Sequence, residues 1–423
     1  MNGERERFPL AAIADMRPSR RVLPRICYVG RPQKVRIRGS NETAAICSLL
    51  GGTALAPLAA LPLYADPPGD CAIPVARDDG WPIASVNDDK LVDRDALCRM
   101  ADRLVASSAN VHAVLVARGG KLVFERYFKG SDEINGRRVE SVTFDADTPH
   151  NIKSATKSVA SLALGIAIDR GLIRSVNEPI FSFFPELSDL RSPEKDRIQL
   201  VHALTMTMGL KWVEAIPSNE DDNDEVRMHM ASDPCRYVLG LPATAPAGQE
   251  YLYNTGALTL VSAIVRKATG RPLDEFARET LFQPLGITSV EWVRVKGDSD
   301  AGGGLRLRPR DMAKIGQLVL AGGRWNDNEI VSKTWIETST APKIEATGGQ
   351  FYGYLWFLGR SLPNGREVHW DGALGRGGQS IRIVPELDLV VVVTAGYYQD
   401  YSPQAFQVQS GIFRDTLRAI SLR

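Results

Sequence analysis

The sequence predicts an α+β fold: one antiparallel sheet built from both ends of the chain, flanked by helices, with a mainly helical region inserted at about residues 172–345. Three observations carry this. Two β-branched segments before residue 130 are joined by Gly119-Gly120, a hairpin signal. Four more strand-like segments follow residue 349. Between the two groups, helical spacing dominates.

Taken in order, a Pro- and Asp-rich arm runs from Asp66 to Asp89. Asp93 to Ser107 has Leu97, Met100, Leu104 and Val105 on one helical face. Val111 to Ala117 and Lys121 to Phe128 form the first strand pair. A helix is expected from Asn151 to Arg170, with Val159, Leu162, Ala163, Ile166 and Ala167 as its apolar stripe and Gly171 as its stop. In the insertion, helices are expected at about Thr255 to Lys267, Leu273 to Leu281 and Pro309 to Ala321; the last has proline at its start and Gly322-Gly323 at its end. Strands return at Gln350 to Leu358, Glu367 to Trp370, Ser380 to Val384 and Leu389 to Ala395, and Gln407 to Ser421 reads as a closing helix.

The 423 residues carry 51 basic and 50 acidic side chains. A net charge of +1 gives no field to draw the chain to nucleic acid or an anionic membrane. Residues 1–66 read as a leader and 67–423 as the folded domain. Lys34, Arg36 and Arg38 precede an uncharged run, Ile46 to Leu63, and Leu63-Tyr64-Ala65 before Asp66 suits a signal-peptide cleavage site. A membrane anchor or buried helix is the alternative, and Gly51, Gly52, Pro57 and Pro62 weaken it. The expected location is therefore periplasmic or secreted. Of five cysteines, Cys71, Cys98 and Cys235 remain after such processing. Cys71 with Cys98 is the expected disulfide, with three unpaired thiols as the alternative.

Three strings carry chemistry. Ser154-Ala155-Thr156-Lys157 stands at the expected helix start, so Lys157 lies one turn from Ser154 and on its face. Helix N-terminal N–H groups favour an oxyanion there, and a lysine held neutral by burial and cationic neighbours takes the serine proton. Four residues of this kind also suit an ordinary helix cap. The second string, Gly248 to Gly256, is a turn that points Tyr253 toward a neighbouring site or packs it. The third, Gly372-Ala373-Leu374-Gly375-Arg376-Gly377-Gly378-Gln379, is a turn before Ser380 to Val384 whose glycines permit close backbone approach. No G-K-[ST] follows, which argues against a phosphate loop.

In this order the three strings resemble the serine β-lactamase and penicillin-recognising family, and within it the 6-aminohexanoate-dimer hydrolases and related esterases. Leu204-Thr205-Met206-Thr207-Met208-Gly209-Leu210 and Gly303-Gly304-Leu305-Arg306-Leu307 fit the same branch. The resemblance implies Ser154 as acylated nucleophile, Lys157 as its base and Tyr253 as proton relay to the leaving group. Thr255 stands where many members have Asn. The third motif aligns on Ala373-Leu374-Gly375, giving an oxyanion hole from the backbone N–H groups of Ser154 and Arg376; a rival alignment starts at His369 or Trp370. Gly375, Gly377 and Trp212 are further expected substrate contacts, and Trp212 and Glu214, which follow the Met-rich turn, are expected to line the pocket rim. Ala373 replaces a lysine that holds substrate carboxylates, which argues against efficient β-lactamase or D-Ala-D-Ala carboxypeptidase activity; Arg376 either substitutes as an anion binder or faces solvent.

No H-x-x-x-H or H-E-x-x-H occurs among the five histidines, and Ser154 lacks G-x-S-x-G, so neither zinc chemistry nor a Ser-His-Asp triad is supported. His150 is expected to pack below the nucleophile's helix. The acidic run Glu220 to Glu225 lacks calcium-loop spacing and reads as a solvated loop near the pocket rim. The sequence thus reads as an exported, cofactor-free serine hydrolase of small amides or esters. The rivals are a β-lactamase or carboxypeptidase, and a non-catalytic sensor on the same scaffold.

Overall fold

The computed structural model describes residues 71, 73–84, 90–134, 137–214, 222–398 and 403–420. The proposed leader lies outside them.

The α+β expectation holds. The β-rich ends fold as β1 (Val111–Arg118), β2 (Lys121–Tyr127), β3 (Lys129–Ile134), β4 (Arg137–Thr143), β5 (Ile344–Glu345), β6 (Phe351–Tyr352), β7 (Phe357–Ser361), β8 (Val368–Gly375), β9 (Gln379–Val384) and β10 (Leu389–Ala395). One antiparallel sheet has the order β5-β6-β7-β8-β9-β10-β1-β2, so the last long strand pairs with the first, Val393 opposite Val114. β3 and β4 form a separate hairpin.

The principal helices are α1 (Arg94–Ala106), α2 (Thr156–Asp169), α3 (Asp224–Met230), α4 (Gly256–Thr269), α5 (Pro309–Leu320) and α6 (Gln404–Ala419). Strand alternation sorts the side chains into two cores. Ala113, Leu115, Ile381 and Val392 pack with α2, α4 and α5; Val114, Val116, Val391 and Val393 pack with α1 and α6. Both faces of β10 are therefore covered, which explains its continuous valines.

Several expectations need correction. The segment expected to be helical from Asn151 starts as a short strand, His150–Asn151, paired with Leu305–Leu307. A 3₁₀ turn, Lys153–Ala155, comes before α2. Asn151 Oδ1 accepts from Lys153 N at 2.9 Å, and Lys153 takes φ 49°, so the chain turns sharply before it becomes α-helical. α2 has no single stripe, since every residue from Thr156 to Ala167 is buried. From Ser158 to Ile168 it carries no charge, which allows contact all round. In α1, Leu97 and Met100 are buried but Val105 is exposed. The helix at Leu273 is α only to Ala277 and continues as a π turn, Arg278–Phe282. β8 reaches Gly375, so only Arg376 to Gly378 form the turn that was expected to begin at Gly372. The insertion also holds short strand pairs, such as Arg324–Trp325 with Asn328–Glu329.

The arm is tied down. Cys71 and Cys98 are disulfide-bonded, as expected, and Cys235 is free. Arg310 on α5 bridges Asp79 of the arm and Glu125 of β2, and Trp81 Nε1 donates to Gly120 O at 3.0 Å. Among the described residues no helix is long and apolar enough to cross a membrane.

Candidate active site

The turn that delays α2 sets Ser154 at the mouth of a cavity of about 710 Å³. Lys157, one helical turn on, is 2% exposed, and its Nζ donates to Ser154 Oγ at 3.1 Å and to Gly302 O at 2.7 Å. The Gly302 carbonyl is presented by the Asp300–Gly304 loop, where Asp300 Oδ1 accepts from the N–H groups of Gly302 and Gly303. The Lys157 ammonium lies 5.0 Å from the centre of the Tyr253 ring, which is stacked on Phe357. Sequence reasoning had no local signal for Gly302, because its contact spans 145 residues.

Burial works against charge on Lys157, but Tyr253, Glu214 and Glu225 outweigh it and hold the ammonium above its ordinary range. This corrects the expectation of a neutral lysine: its charged neighbours are acids rather than cations. Glu214 is itself pushed above the usual carboxyl range, by burial first, with Lys157 opposing and Glu225 adding.

The structure brings Ser154, Tyr253, Thr255, Gly375 and Arg376 to the cavity wall. Thr255 is committed to Glu214: its N–H donates to Oε2 at 2.8 Å and its hydroxyl to Oε1 at 3.1 Å. Trp212 is not on the wall. Its ring is buried against Gly256, and its Nε1 donates to Glu214 Oε2 at 2.5 Å. The tryptophan thus carries the carboxylate that faces the cavity. Gly377 also stands back from the wall, with φ 87° and Tyr398 against its α-carbon.

A Cβ on Gly375 would lie 2.2 Å from Ile152 O, so the end of β8 runs directly against the turn that presents Ser154. His369 and Trp370 sit elsewhere on β8. His369 is exposed and paired with Glu386, and Trp370 packs on Phe413. Leu374 and Gly375 line the Ser154 cavity, and His369 and Trp370 do not. His150 is fully buried, bonded through Nδ1 to Thr148 O at 3.2 Å and packed with Phe144 and His112. Burial lowers its pKa well below the usual value. Of the acidic run, Glu220 and Asp221 lie outside the described residues, Asp222 is exposed, Asp224 is buried, and Glu225 lines the cavity. Among the described residues no group of three or more His, Cys, Asp or Glu is placed to hold a metal ion.

The family model described as Beta-lactamase matches residues 99–400. The chain is 24% identical over 341 residues to the 6-aminohexanoate-dimer hydrolase of Paenarthrobacter ureafaciens, covering 73% of this chain and 78% of that one. It is 27% identical over 187 residues to esterase EstB of Burkholderia gladioli, covering 42% and 46%. Its fold is similar to that of a penicillin-binding protein homologue from Caulobacter crescentus, with a TM-score of 0.58, 16% identity and coverage of 76% and 97%.

Proposed function

This chain belongs to the beta-lactamase family of serine hydrolases, and from that premise we propose that it cleaves small amide or ester bonds through an acyl-enzyme on Ser154. The observation that carries the reading is the 3.1 Å contact between Lys157 Nζ and Ser154 Oγ at a cavity wall shared with Tyr253.

In the proposed reaction Ser154 Oγ attacks the substrate carbonyl as its proton passes to the free amine of Lys157. The oxyanion accepts from the backbone N–H groups of Ser154 and Arg376. Tyr253 hands a proton to the departing amine or alkoxide and recovers one through Lys157. Water then attacks the ester on Ser154, using the same groups in reverse. Ala373, buried in β8, offers no cation for a substrate carboxylate. Penicillins should therefore be poorer substrates than neutral esters and amides, unless Lys153, Arg306 or Arg376, which line the cavity, takes the carboxylate.

We also propose that the protein is exported. The Cys71–Cys98 disulfide supports an oxidising compartment. N-terminal sequencing of the mature protein tests this; a retained Met1 in the cytosolic fraction would count against it.

The test of the activity compares a short-chain p-nitrophenyl ester, a linear amide dimer and nitrocefin as substrates of wild type and Ser154→Ala. Ester or amide turnover that Ser154→Ala abolishes, with little nitrocefin cleavage, is expected. Strong nitrocefin turnover by the wild type would overturn the argument from Ala373.

A further inference from the structure

The face of the sheet that packs on α6 holds a feature that the Ser154 chemistry does not use. Arg382 lies in β9, opposite Gly372 and Val391, and is 3% exposed. Its guanidinium carbon sits 4.8 Å from the centre of the Trp370 ring and 4.6 Å from that of Phe413. Nη2 donates to Ser410 Oγ at 3.4 Å, while Nε has no acceptor, and among the described residues no carboxylate pairs with Arg382. Burial lowers its pKa to about 10, which leaves it a cation at neutral pH. A buried cation without a counter-charge is costly. The two rings offset part of that cost.

Arg382 lines a cavity of about 300 Å³, the lower end of the range for small-molecule sites. Arg360, Arg414 and Arg418 line it too, and no aspartate or glutamate does. Arg414 is exposed and has no acid partner among the described residues. Leu362 and Phe406 add apolar surface. A guanidinium pairs through its in-plane N–H edge, the geometry that a planar carboxylate matches.

We propose that this cavity binds a small organic carboxylate, with Arg382 and Arg414 holding the carboxylate and Leu362 and Phe406 packing on its apolar body. The assignment does not depend on the hydrolase reading. Phe406 and Gln350 line both this cavity and the Ser154 cavity, whereas Arg382 and Arg414 line this one and not that of Ser154.

Calorimetric titration of the purified full chain with sodium benzoate tests it, with benzamide as neutral isostere and inorganic phosphate as a second anion. Saturable benzoate binding is expected in wild type and equally in Ser154→Ala. Loss of a charged hydrogen-bond partner should weaken it about ten- to a hundredfold in Arg382→Met. Arg414→Gln, on an exposed position, should weaken it less, and benzamide should not bind. Arg414→Gln together with Arg382→Lys carries the test if Arg382→Met fails to fold. Unchanged benzoate affinity in the arginine variants, equal binding of benzamide, tighter binding of phosphate, or no saturable benzoate binding would each overturn the assignment.

Discussion

Lys157 is the residue on which the site's chemistry turns, and its surroundings give it an awkward resting state. Glu214, Glu225 and Tyr253 favour its ammonium, yet the proposed step needs its amine. The free-amine fraction of a group whose pKa is raised grows as pH rises, and it is small near neutrality. Ester kcat/KM should therefore climb with pH into the alkaline range, toward the ordinary lysine value of 10.5 and beyond. Glu214→Gln removes one of the acidic neighbours that hold the ammonium. It should move the ascending limb toward neutrality by roughly one unit, while its bonds to Trp212 and Thr255 are largely kept by the amide. A pH–rate profile of the two proteins checks both points, and a flat profile above pH ~7 would show that Lys157 does not govern the rate. Ser154→Ala should cost at least about a thousandfold in kcat at any pH, with no change in melting temperature large enough to explain it.

At the scale of elements, the end of β8 and the start of α2 are fitted to one another through Gly375. Gly375→Ala would place a Cβ 2.2 Å from the Ile152 carbonyl, and a backbone atom cannot swing away as a flexible side chain does. The strand end or the Ser154 turn must shift, and a displacement near 1 Å at a reacting centre costs about a hundredfold in rate. Gly165→Ala makes a contact as tight, 2.3 Å, but to the Trp335 ring, two turns along α2 from Lys157. It should destabilise by about 1–3 kcal/mol while the folded fraction keeps its kcat, and steady-state kinetics with thermal melts of both variants separate the two effects. The contrast also marks what the sequence makes legible. Hairpin signals and periodicity give the sheet, the long helices and the placement of Ser154 near Lys157, because those depend on neighbours in the chain. The 3₁₀ turn at Lys153 is hidden because the pairing of His150–Asn151 with Leu305–Leu307 overrides local helix propensity. All-round burial of α2 was readable from its uncharged run Ser158 to Ile168. Glu214 was readable only as a rim residue beside Trp212, and Gly302 was not readable as a site residue, since each acts through a contact made only when the insertion folds back on α2.

The whole molecule closes on itself by joining its first strands to its last, and the N-terminal arm adds a second closure. Cys71–Cys98 fixes the start of the described chain to α1, on the side of the sheet that carries α6. Arg310 independently binds the arm's Asp79 to Glu125, on the side that carries α2 and α5. These two attachments act in different states. The disulfide, spanning 27 residues, restricts the unfolded chain and is worth about 3–4 kcal/mol on the loop-entropy estimate. The Arg310 network stabilises only the folded state, and breaking a buried pair of this kind costs about 3–5 kcal/mol. Reduction should therefore lower the melting temperature by several degrees while leaving ester turnover at 25 °C unchanged, because neither cysteine lines the Ser154 cavity. Arg310→Met should lower it further, and in the reduced protein the two losses should add, since the bridge and the ion pairs share no side chain. Differential scanning calorimetry of wild type and Arg310→Met, oxidised and reduced, measures all four states. A reduced wild type that melts where the oxidised one does would mean that the Arg310 side alone holds the arm, and that the disulfide closes a loop already ordered before folding is complete.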